Sequence, residues 1–413
     1  MVHKAAHNDE NTYTCYAEHI NPSYPDFLRR LGLKSVAMHA EGAIITDSNG
    51  KQYIDCTAGY GLFNLGHNHP SIVQALTEQL HSKQPLTRPL ISEIHTRFVT
   101  RLISAVQNKF DCVFICNSGS EAVDSALKLA RLCGRKKKII AAKNSFHGYT
   151  YGALSVTGIK KFRLAFEPML PDIEFIDYGS LDAASKAIND ETTAIILEPV
   201  QHEAGIHIPP SDYFHGVREL CNKHDALFIL DEVKTGMGKT GLLFAHETMG
   251  VTPDILILGK SLGGGLMPSG AILSNKKLWK RFGLSFPMSA SSYAGNTLTC
   301  RAGIATLDVF EHTNILEASR NKGELLSSHL ASLSQKHQDI IKKNTGTGLL
   351  HSLTLNTPQL TFELAKQLIQ HGVLAVPAFG NNTELMLEPP LVITQNDLLT
   401  VCQALDTSLN TLH

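Results

Sequence analysis

The 413-residue sequence has no marked excess of charge of either sign and no long apolar run. Lysine and arginine number 37 against 38 acidic residues, which leaves a formal net charge of −1. This balance argues against the basic surface of a nucleic-acid-binding protein. No apolar run approaches the roughly 20 residues that span a bilayer. The polar segment 1–10 lacks the composition of a secretory signal. We therefore expect neither a nucleic-acid partner nor a membrane span.

The sequence also lacks cysteine pairs and clustered metal ligands. Its eight cysteines are scattered, which is typical of a protein without disulfide bonds in a reducing compartment. We therefore expect a cytoplasmic protein. Among 20 histidines, His67 and His69 form the one tight pair. They lie in a turn flanked by glycine and proline, where turn formation is favoured over metal binding, so no metal site is predicted.

Short apolar segments alternate with helical patterns from residue 111 to residue 258. The segments are 113–116, 139–142, 173–176, 194–200, 227–231 and 255–258. This alternation predicts a mainly parallel sheet that is covered by helices on both faces. In such sheets the ligand binds beyond the carboxyl ends of the strands. Polar residues that follow these segments are therefore the candidates for a site.

On either side of this region the sequence predicts a mixture of strands and helices. Residues 43–55 predict a β-hairpin with its turn at 48–50, and helical patterns follow at 71–80 and 91–106. After about residue 313 the chain is helical again. Strands are then predicted at 349–355 and 373–376, and a last helix at 395–409. This C-terminal part is a separate α+β unit.

Lys260 follows the apolar segment 255–258 and precedes the glycine-rich turn 263–265. A lysine at the end of a buried strand loses hydration unless its ammonium finds a partner or takes part in chemistry. On this segment alone, two interpretations stay open. The ammonium either reaches water along a flexible stem or forms a Schiff base.

The strand end after Cys116 is rich in serine and glycine. Ser118 and Glu121 fit a capping box at the start of a helix. Free N–H groups and the helix dipole could cradle a phosphate at this turn. The alternative is a well-capped helix that binds nothing.

Three more residues follow apolar segments. Phe146 could stack on a flat heterocycle or be an ordinary loop aromatic. Glu198 and Asp231 are buried carboxylates at the ends of neighbouring segments and need cationic or proton-donating partners. Asp231 could hold a protonated ring nitrogen, although either acid could instead cap the next segment.

A phosphate cradle, a stacking aromatic, an acid and a lysine are together the parts of a pyridoxal phosphate site. In such a site Lys260 forms the Schiff base and then acts as the base that moves the substrate's α-proton. Neither G-x-x-x-x-G-K-[ST] nor a G-x-G-x-x-G between strand and helix is present. A nucleoside-triphosphate loop and a nucleotide-binding oxidoreductase are therefore disfavoured.

With these motifs the sequence resembles class III aminotransferases of the ornithine, acetylornithine, 4-aminobutyrate and putrescine type. The resemblance extends from 50–55 through 65–67 to 389–391. It implies the type I fold of pyridoxal-phosphate-dependent transferases, with a mainly parallel seven-stranded sheet in a large domain. A small α+β domain would be built from both chain ends. The implied parts are 1–75 and 313–413 for the small domain and 76–312 for the large, cofactor-binding domain.

The resemblance also implies roles for individual residues. Lys260 would be the Schiff-base lysine, and Asp231 the partner of the pyridine nitrogen. Ser292 would reach the phosphate of a neighbouring subunit, which implies a homodimer with shared active sites. The remaining cofactor contacts would be phosphate binding by Gly119 and Ser120, packing on the ring by Phe146 and Val233, and orientation of the site by Glu198.

Several positions depart from the family's pattern. Tyr149 and Met386 replace two arginines that grip substrate carboxylates, and neither reproduces a bidentate guanidinium contact. Glu203, which commonly pairs with one of those arginines, is left to meet a substrate amine. Lys234 stands in place of a glutamine that approaches the ring hydroxyl, and Lys239 in place of an arginine.

These departures favour substrates without an α-carboxylate. The predicted reaction moves an amino group between a terminal amine, or an aliphatic aldehyde, and a 2-oxo acid by a ping-pong mechanism. Tyr60 and Phe63 would add to the substrate pocket if the glycine-rich loop 59–66 lines it. The alternatives are other chemistry on the same cofactor, namely an aminomutase, racemase or decarboxylase, or a non-catalytic homologue.

Overall fold

The strands form three sheets in the part of the chain that the computed structural model describes, residues 8–87, 90–134, 136–284 and 291–412. In chain order the strands are β1 (Ala37–Glu41), β2 (Ile44–Asp47), β3 (Gln52–Asp55), β4 (Cys112–Cys116), β5 (Lys138–Ala142), β6 (Ile173–Ile176), β7 (Thr192–Leu197), β8 (Leu227–Asp231), β9 (Ile255–Gly259), β10 (Gly270–Ser274), β11 (Ile341–Thr347), β12 (Leu350–Leu355), β13 (Val373–Leu374), β14 (Val376–Pro377) and β15 (Glu384–Leu387).

Helices precede, separate and cover these strands. In chain order they are α1 (Asp9–His19), α2 (Tyr24–Arg30), α3 (Ala58–Gly61), α4 (Pro70–His81), α5 (Glu93–Ala105), α6 (Gly119–Gly134), α7 (Tyr151–Val156), α8 (Lys160–Arg163), α9 (Leu181–Ala187), α10 (Tyr213–Lys223), α11 (Lys276–Leu284), α12 (Thr297–His312), α13 (Ile315–Lys336), α14 (Pro358–Gln370) and α15 (Gln395–Asn410). Within the described ranges, no helix has the length and apolar character needed to cross a bilayer.

The central sheet has seven strands in the order β4-β10-β9-β8-β7-β5-β6. Strand β10 runs antiparallel to both of its neighbours, and the other pairs are parallel. The predicted mainly parallel seven-stranded sheet is therefore confirmed. The apolar segments did not include β10, because its apolar part between Gly270 and Ser274 is only three residues long.

Two four-stranded sheets lie outside the central sheet, in the orders β1-β2-β3-β13 and β11-β12-β15-β14. Strand β13 pairs in parallel with β3, through Val373 opposite Ile54 and Leu374 opposite Asp55. The early hairpin and the C-terminal part of the chain thus share one sheet. Strands β2 and β3 are the predicted hairpin, whereas α1, β1 and β11 were not predicted. Helix α1 lacks an apolar face to recognise, since Tyr13 is its one buried residue.

The ends of elements follow local chemistry. Strand β7 ends at Leu197 rather than at the predicted residue 200, because Pro199 has no N–H to donate to a ladder. Helix α6 packs against the sheet through Ala122, Ala126 and Ala130, which lie on one face of the helix and are fully buried. Close approach by these small side chains fixes the start of α6 next to the strand ends.

The carboxyl ends of β4, β5, β7, β8 and β9 lie at one edge of the central sheet. Gly270, the first residue of β10, is in register there with Cys116 at the end of β4 and with Gly259 at the end of β9. Every candidate strand end from the sequence therefore reaches the same edge, where ligands bind in open α/β sheets.

Candidate active site

Lys260 is the first residue after β9 and begins a short 3₁₀ turn. Its φ of +49° lies in the left-handed region, which is uncommon for a residue with a side chain. The turn is held from outside, since the Ser261 hydroxyl donates to the carbonyl of Leu62 over 2.9 Å and the Ser269 hydroxyl donates to that of Lys260 over 3.3 Å. Strain of this kind is typical of residues positioned for function.

The Lys260 side chain is half-buried and lines a cavity. Burial lowers the pKa of Lys260 to about 8, and the cation of Lys234 contributes in the same direction. The carboxylates of Glu203, Glu388 and Asp231 oppose this shift. An amine with a pKa near 8 exists partly in its neutral form at physiological pH, and this form is the nucleophile and base.

Asp231 ends β8, the strand next to β9. Its Oδ2 lies 2.7 Å from Nδ1 of His147, and its Oδ1 accepts a 3.0 Å hydrogen bond from the Val233 N–H. Asp231 is almost completely buried, so these contacts hold the orientation of its carboxylate. Sequence reasoning missed His147. The available signal was that a polar residue directly follows Phe146 beyond a buried strand.

Glu198 follows β7, the strand on the other side of β8. Its Oε2 accepts a 3.3 Å hydrogen bond from the N–H of Phe146, and its buried Oε1 has no hydrogen-bond partner among the described residues. Burial, and then the neighbouring Asp231 carboxylate, raise the pKa of Glu198 well above its usual value. Glu198 therefore favours its proton-bearing form.

The turn between β4 and α6 has the predicted cap with one difference. The Ser118 hydroxyl accepts from the Glu121 N–H over 3.1 Å, as a capping box requires. The Glu121 carboxylate instead accepts from the N–H of Asn117 at 2.8 Å. The N–H groups of Gly119 and Ser120 have no intrahelical acceptor in this first turn, where the helix dipole favours an anion.

Glycine allows the turn to approach its neighbours closely. A Cβ on Gly119 would lie 2.8 Å from Cγ1 of Val233, and a Cβ on Gly148 would lie 2.1 Å from the Ser120 hydroxyl. That hydroxyl also accepts a 3.2 Å hydrogen bond from the N–H of Tyr149. Val233 therefore packs against one side of the turn, and the segment after Phe146 packs against Ser120.

These strand ends surround a cavity of about 190 Å³. The predicted site residues that line it are Gly119, Ser120, Phe146, Tyr149, Glu198, Asp231, Val233 and Lys260. The other residues that line it were not predicted as site residues, namely Ser118, His147, Gly148, Val200, His202, Lys234 and Thr235. Burial lowers the pKa of His202 well below its usual value, so its ring is neutral.

Five other predicted residues do not line this cavity, and three of them are Tyr60, Phe63 and Ser292. Tyr60 is largely exposed, and its ring centre lies 5.4 Å from that of Phe379. The Phe63 ring packs 4.1 Å from that of His67. Ser292 is exposed in a turn, where its neighbour Ser291 accepts a 2.8 Å hydrogen bond from the side chain of Asn117.

Glu203 and Met386 lie behind the cavity wall. One carboxylate oxygen of Glu203 is 3.7 Å from Nε2 of His202, and burial raises the pKa of Glu203. Met386 is buried on β15 and belongs to a small apolar cluster with Val200, which lines the cavity. A change at Met386 would therefore reach the cavity through Val200.

Lys234 and Glu388 form an ion pair beside the cavity. The Lys234 ammonium donates to a carboxylate oxygen of Glu388, and both side chains are buried. Lys239 lies next to them, where its ammonium donates to the carbonyls of Glu388 at 3.1 Å and Pro389 at 3.0 Å. Lys234 and Lys239, which both depart from the family's pattern, therefore meet at Glu388.

The cavity combines three chemical abilities. The start of α6 can bind an anion through backbone N–H groups. Asp231 can hold a protonated ring nitrogen, because a buried carboxylate needs a cationic partner. Lys260 presents an amine that is partly neutral. These abilities match a phosphorylated, nitrogen-containing aromatic aldehyde better than a nucleotide.

Known proteins are similar to this chain over nearly its whole length. The family model "Aminotransferase class-III" matches residues 31–409. A putrescine aminotransferase from Pectobacterium atrosepticum is 36% identical over 406 residues, which cover 95% of this chain and 86% of that protein.

Solved structures share the fold as well. The ornithine aminotransferase from Toxoplasma gondii has a TM-score of 0.90 at 27% identity, with 99% of this chain and 96% of that chain covered. An amine transaminase from an uncultivated Pseudomonas species, solved with pyridoxal phosphate bound, has a TM-score of 0.84 at 26% identity, with 92% and 95% covered. The chain belongs to the class III aminotransferase family and is an aminotransferase of the type I fold.

Proposed function

We propose that this aminotransferase uses pyridoxal phosphate to move an amino group between a terminal amine, or its aldehyde, and a 2-oxo acid. The observation that carries this proposal is the arrangement of Lys260 and Asp231. They end adjacent strands, and they face one cavity together with the anion-binding start of α6. The two substrates use the same cavity in turn, which makes the mechanism ping-pong.

The residues present fit the cofactor. The N–H groups of Gly119 and Ser120 would hold its phosphate, and a Cβ on Gly119 would collide with Val233. Val233 and Phe146 would pack on the faces of its ring. When bound, pyridoxal phosphate supplies an electrophilic carbon for amines and an electron-withdrawing ring.

The side chains of this chain handle the protons. Lys260 would accept the proton from the substrate carbon that bears nitrogen and would later release it, because its pKa of about 8 permits both directions near neutral pH. Asp231, oriented by His147 and Val233, would face the ring nitrogen and accept a hydrogen bond from it. Glu198, with its raised pKa, donates a hydrogen bond instead of adding a second charge.

The lining of the cavity favours amine donors without an α-carboxylate. No arginine of the described ranges lines it, and Tyr149 occupies the position where the family has one. Aliphatic terminal amines are the donors we expect, and the name of the Pectobacterium relative agrees with this chemistry. Glu203 is the acid behind the wall that could attract a second, distal amine of a diamine.

We also propose a homodimer in which Ser292 of a second copy completes the phosphate site, since Ser292 does not line the cavity of its own chain. The pairing of β3 with β13 supports a small domain built from 1–75 and 313–413 around the large domain 76–312. All eight cysteines are free, which agrees with a cytoplasmic protein.

A donor and acceptor panel tests the reaction. Aliphatic monoamines and diamines, ornithine, acetylornithine and 4-aminobutyrate are each combined with pyruvate or 2-oxoglutarate. We expect turnover with the amines, dependence on the acceptor, and a change in cofactor absorbance when amine alone is added. Activity with α-carboxylate donors alone would overturn the substrate assignment. Turnover without an acceptor would indicate a racemase or mutase, and turnover by Lys260→Ala would overturn the mechanism.

A further inference from the structure

The proposed reaction puts two unlike molecules into one cavity. The donor amine carries no carboxylate at the reacting carbon, whereas the acceptor oxo acid does. That carboxylate loses water on entering a largely buried site and needs a cationic partner there. Given the proposed function, on which this assignment rests, a residue of this chain has to supply that partner.

The lining of the cavity leaves few candidates within the described residues. No arginine lines it. His202 is held neutral by burial, and Nδ1 of His147 is engaged by Asp231. Lys260 carries out the chemistry and cannot also hold the carboxylate. The remaining cation in the described lining is Lys234.

Lys234 has the reach and the free donors for this contact. It lies three residues after Asp231, and its stem passes Gly61, where an added Cβ would lie 2.9 Å from Cδ of Lys234. The hydrogen bond recorded for its ammonium goes to Glu388. An ammonium has three N–H donors, so a second anion can be bound without breaking the first pair.

The backbone of Glu388 is held by hydrogen bonds on both sides. Its backbone N–H donates to the carbonyl of Cys56 at 2.7 Å, and its own carbonyl accepts from Lys239. Lys234 has the longer and more flexible side chain, so its ammonium is the part that can turn toward the cavity while it stays paired with Glu388. Glu388 keeps this buried ammonium compensated while an uncharged group occupies the cavity.

We propose that Lys234 binds the carboxylate of the 2-oxo acid, with Glu388 as its counterion while the amine substrate occupies the site. Amine and oxo acid are thus accepted in turn without an arginine in the described lining. The amino acid formed from the oxo acid carries the same carboxylate, so Lys234 also binds this product when the reaction runs in reverse.

Separate measurement of the two half-reactions tests this role. The holoenzyme is mixed with an aliphatic amine, or its aminated form with pyruvate or 2-oxoglutarate, and the cofactor absorbance is followed by stopped flow. For Lys234→Gln we expect the apparent affinity for the oxo acid to fall roughly tenfold or more, as for loss of a charge-assisted hydrogen bond. The apparent affinity for the amine should change less than about threefold, because the amine makes no such contact.

Three further variants are measured for comparison with Lys234→Gln. Lys234→Arg keeps the cation and should retain most of the oxo-acid affinity. Lys322→Gln makes the same substitution at a lysine that binds the carbonyls of Leu391 and Ile393, away from the cavity, and should change neither half-reaction. Lys234→Gln combined with Glu388→Gln removes both charges of the pair together, and it replaces the single variant if that protein does not fold.

Calorimetric titration of the holoenzyme with succinate, an unreactive dicarboxylate, gives a readout without turnover. We expect binding to wild type and to Lys234→Arg, and weaker binding to Lys234→Gln. Equal losses for amine and oxo acid, or unchanged succinate binding in the glutamine variants, would overturn the proposal. Failure of every amine to change the wild-type absorbance would instead refute the proposed function, and the succinate titration would still decide the role of Lys234.

Discussion

Replacement of Lys239 by methionine should change how the stability of the protein depends on pH. The Lys239 side chain is fully buried, and its ammonium donates to two backbone carbonyls. Burial lowers the pKa of Lys239 from 10.5 to about 7, although the carboxylate of Glu388 opposes this shift. In the unfolded chain the amine recovers its usual pKa of about 10.4.

The unfolded chain therefore binds one more proton than the folded chain between about pH 7 and pH 10.5. The free energy of unfolding contributed by Lys239 rises with pH across this window, by up to about 1.4 kcal/mol per pH unit. Lys239→Met lacks the titrating amine. The stability of wild type minus that of the variant should consequently grow by roughly 3 kcal/mol between pH 7 and pH 9.5.

Urea denaturation of both proteins at several pH values and constant ionic strength measures this difference. Groups that titrate in both proteins, Lys260 among them, cancel in the subtraction. Two carbonyls lose their donor in the variant, which lowers its stability by a constant amount without changing the slope. Lys223→Met, at an exposed position, is the matched control and should show no slope. A flat difference for Lys239→Met, or one that falls as pH rises, would refute the reasoning.

Three further variants test the site. Asp231→Asn keeps the shape of the side chain but loses its charge; turnover should fall about 100-fold or more, and near-normal turnover in a steady-state assay would contradict the assigned role. Gly119→Val places a branched side chain where a Cβ already lies 2.8 Å from Cγ1 of Val233. This variant should lose cofactor on dialysis, as measured by absorbance, whereas full retention would exclude Gly119 from the phosphate turn. Ser118→Ala removes the acceptor for the Glu121 N–H and should lower the unfolding free energy by about 1 kcal/mol, and no change in chemical denaturation would show that the cap is dispensable.

Much of the fold was predictable because its signals are local. A strand buried on both faces in a parallel sheet is a short continuous apolar run, so the segments that became β6 and β8 were recognised with correct ends. Helix α1 and strand β10 were missed for the opposite reason. Helix α1 has no apolar face, and β10 has only three apolar residues between glycine and serine.

The sequence alone determined the chemical parts of the site. Lys260, Asp231 and Glu198 could be singled out, because each is a charged residue at the end of an apolar strand. The rule that parallel strands carry ligands at their carboxyl ends then placed all three at one edge. Order along the chain was sufficient for this step, because a buried strand and the residue that ends it are neighbours in sequence.

Only the tertiary structure decided which partners these residues have. His147 and Asp231 are separated by 84 residues, and Lys234 and Glu388 by 154. Pairs so far apart meet only when the sheets and helices have packed, and the desolvation that lowers the pKa of Lys260 arises at the same step. Local sequence patterns do not indicate which residues so far apart in the chain come into contact. The charge that faces the substrate is therefore a property of the folded chain.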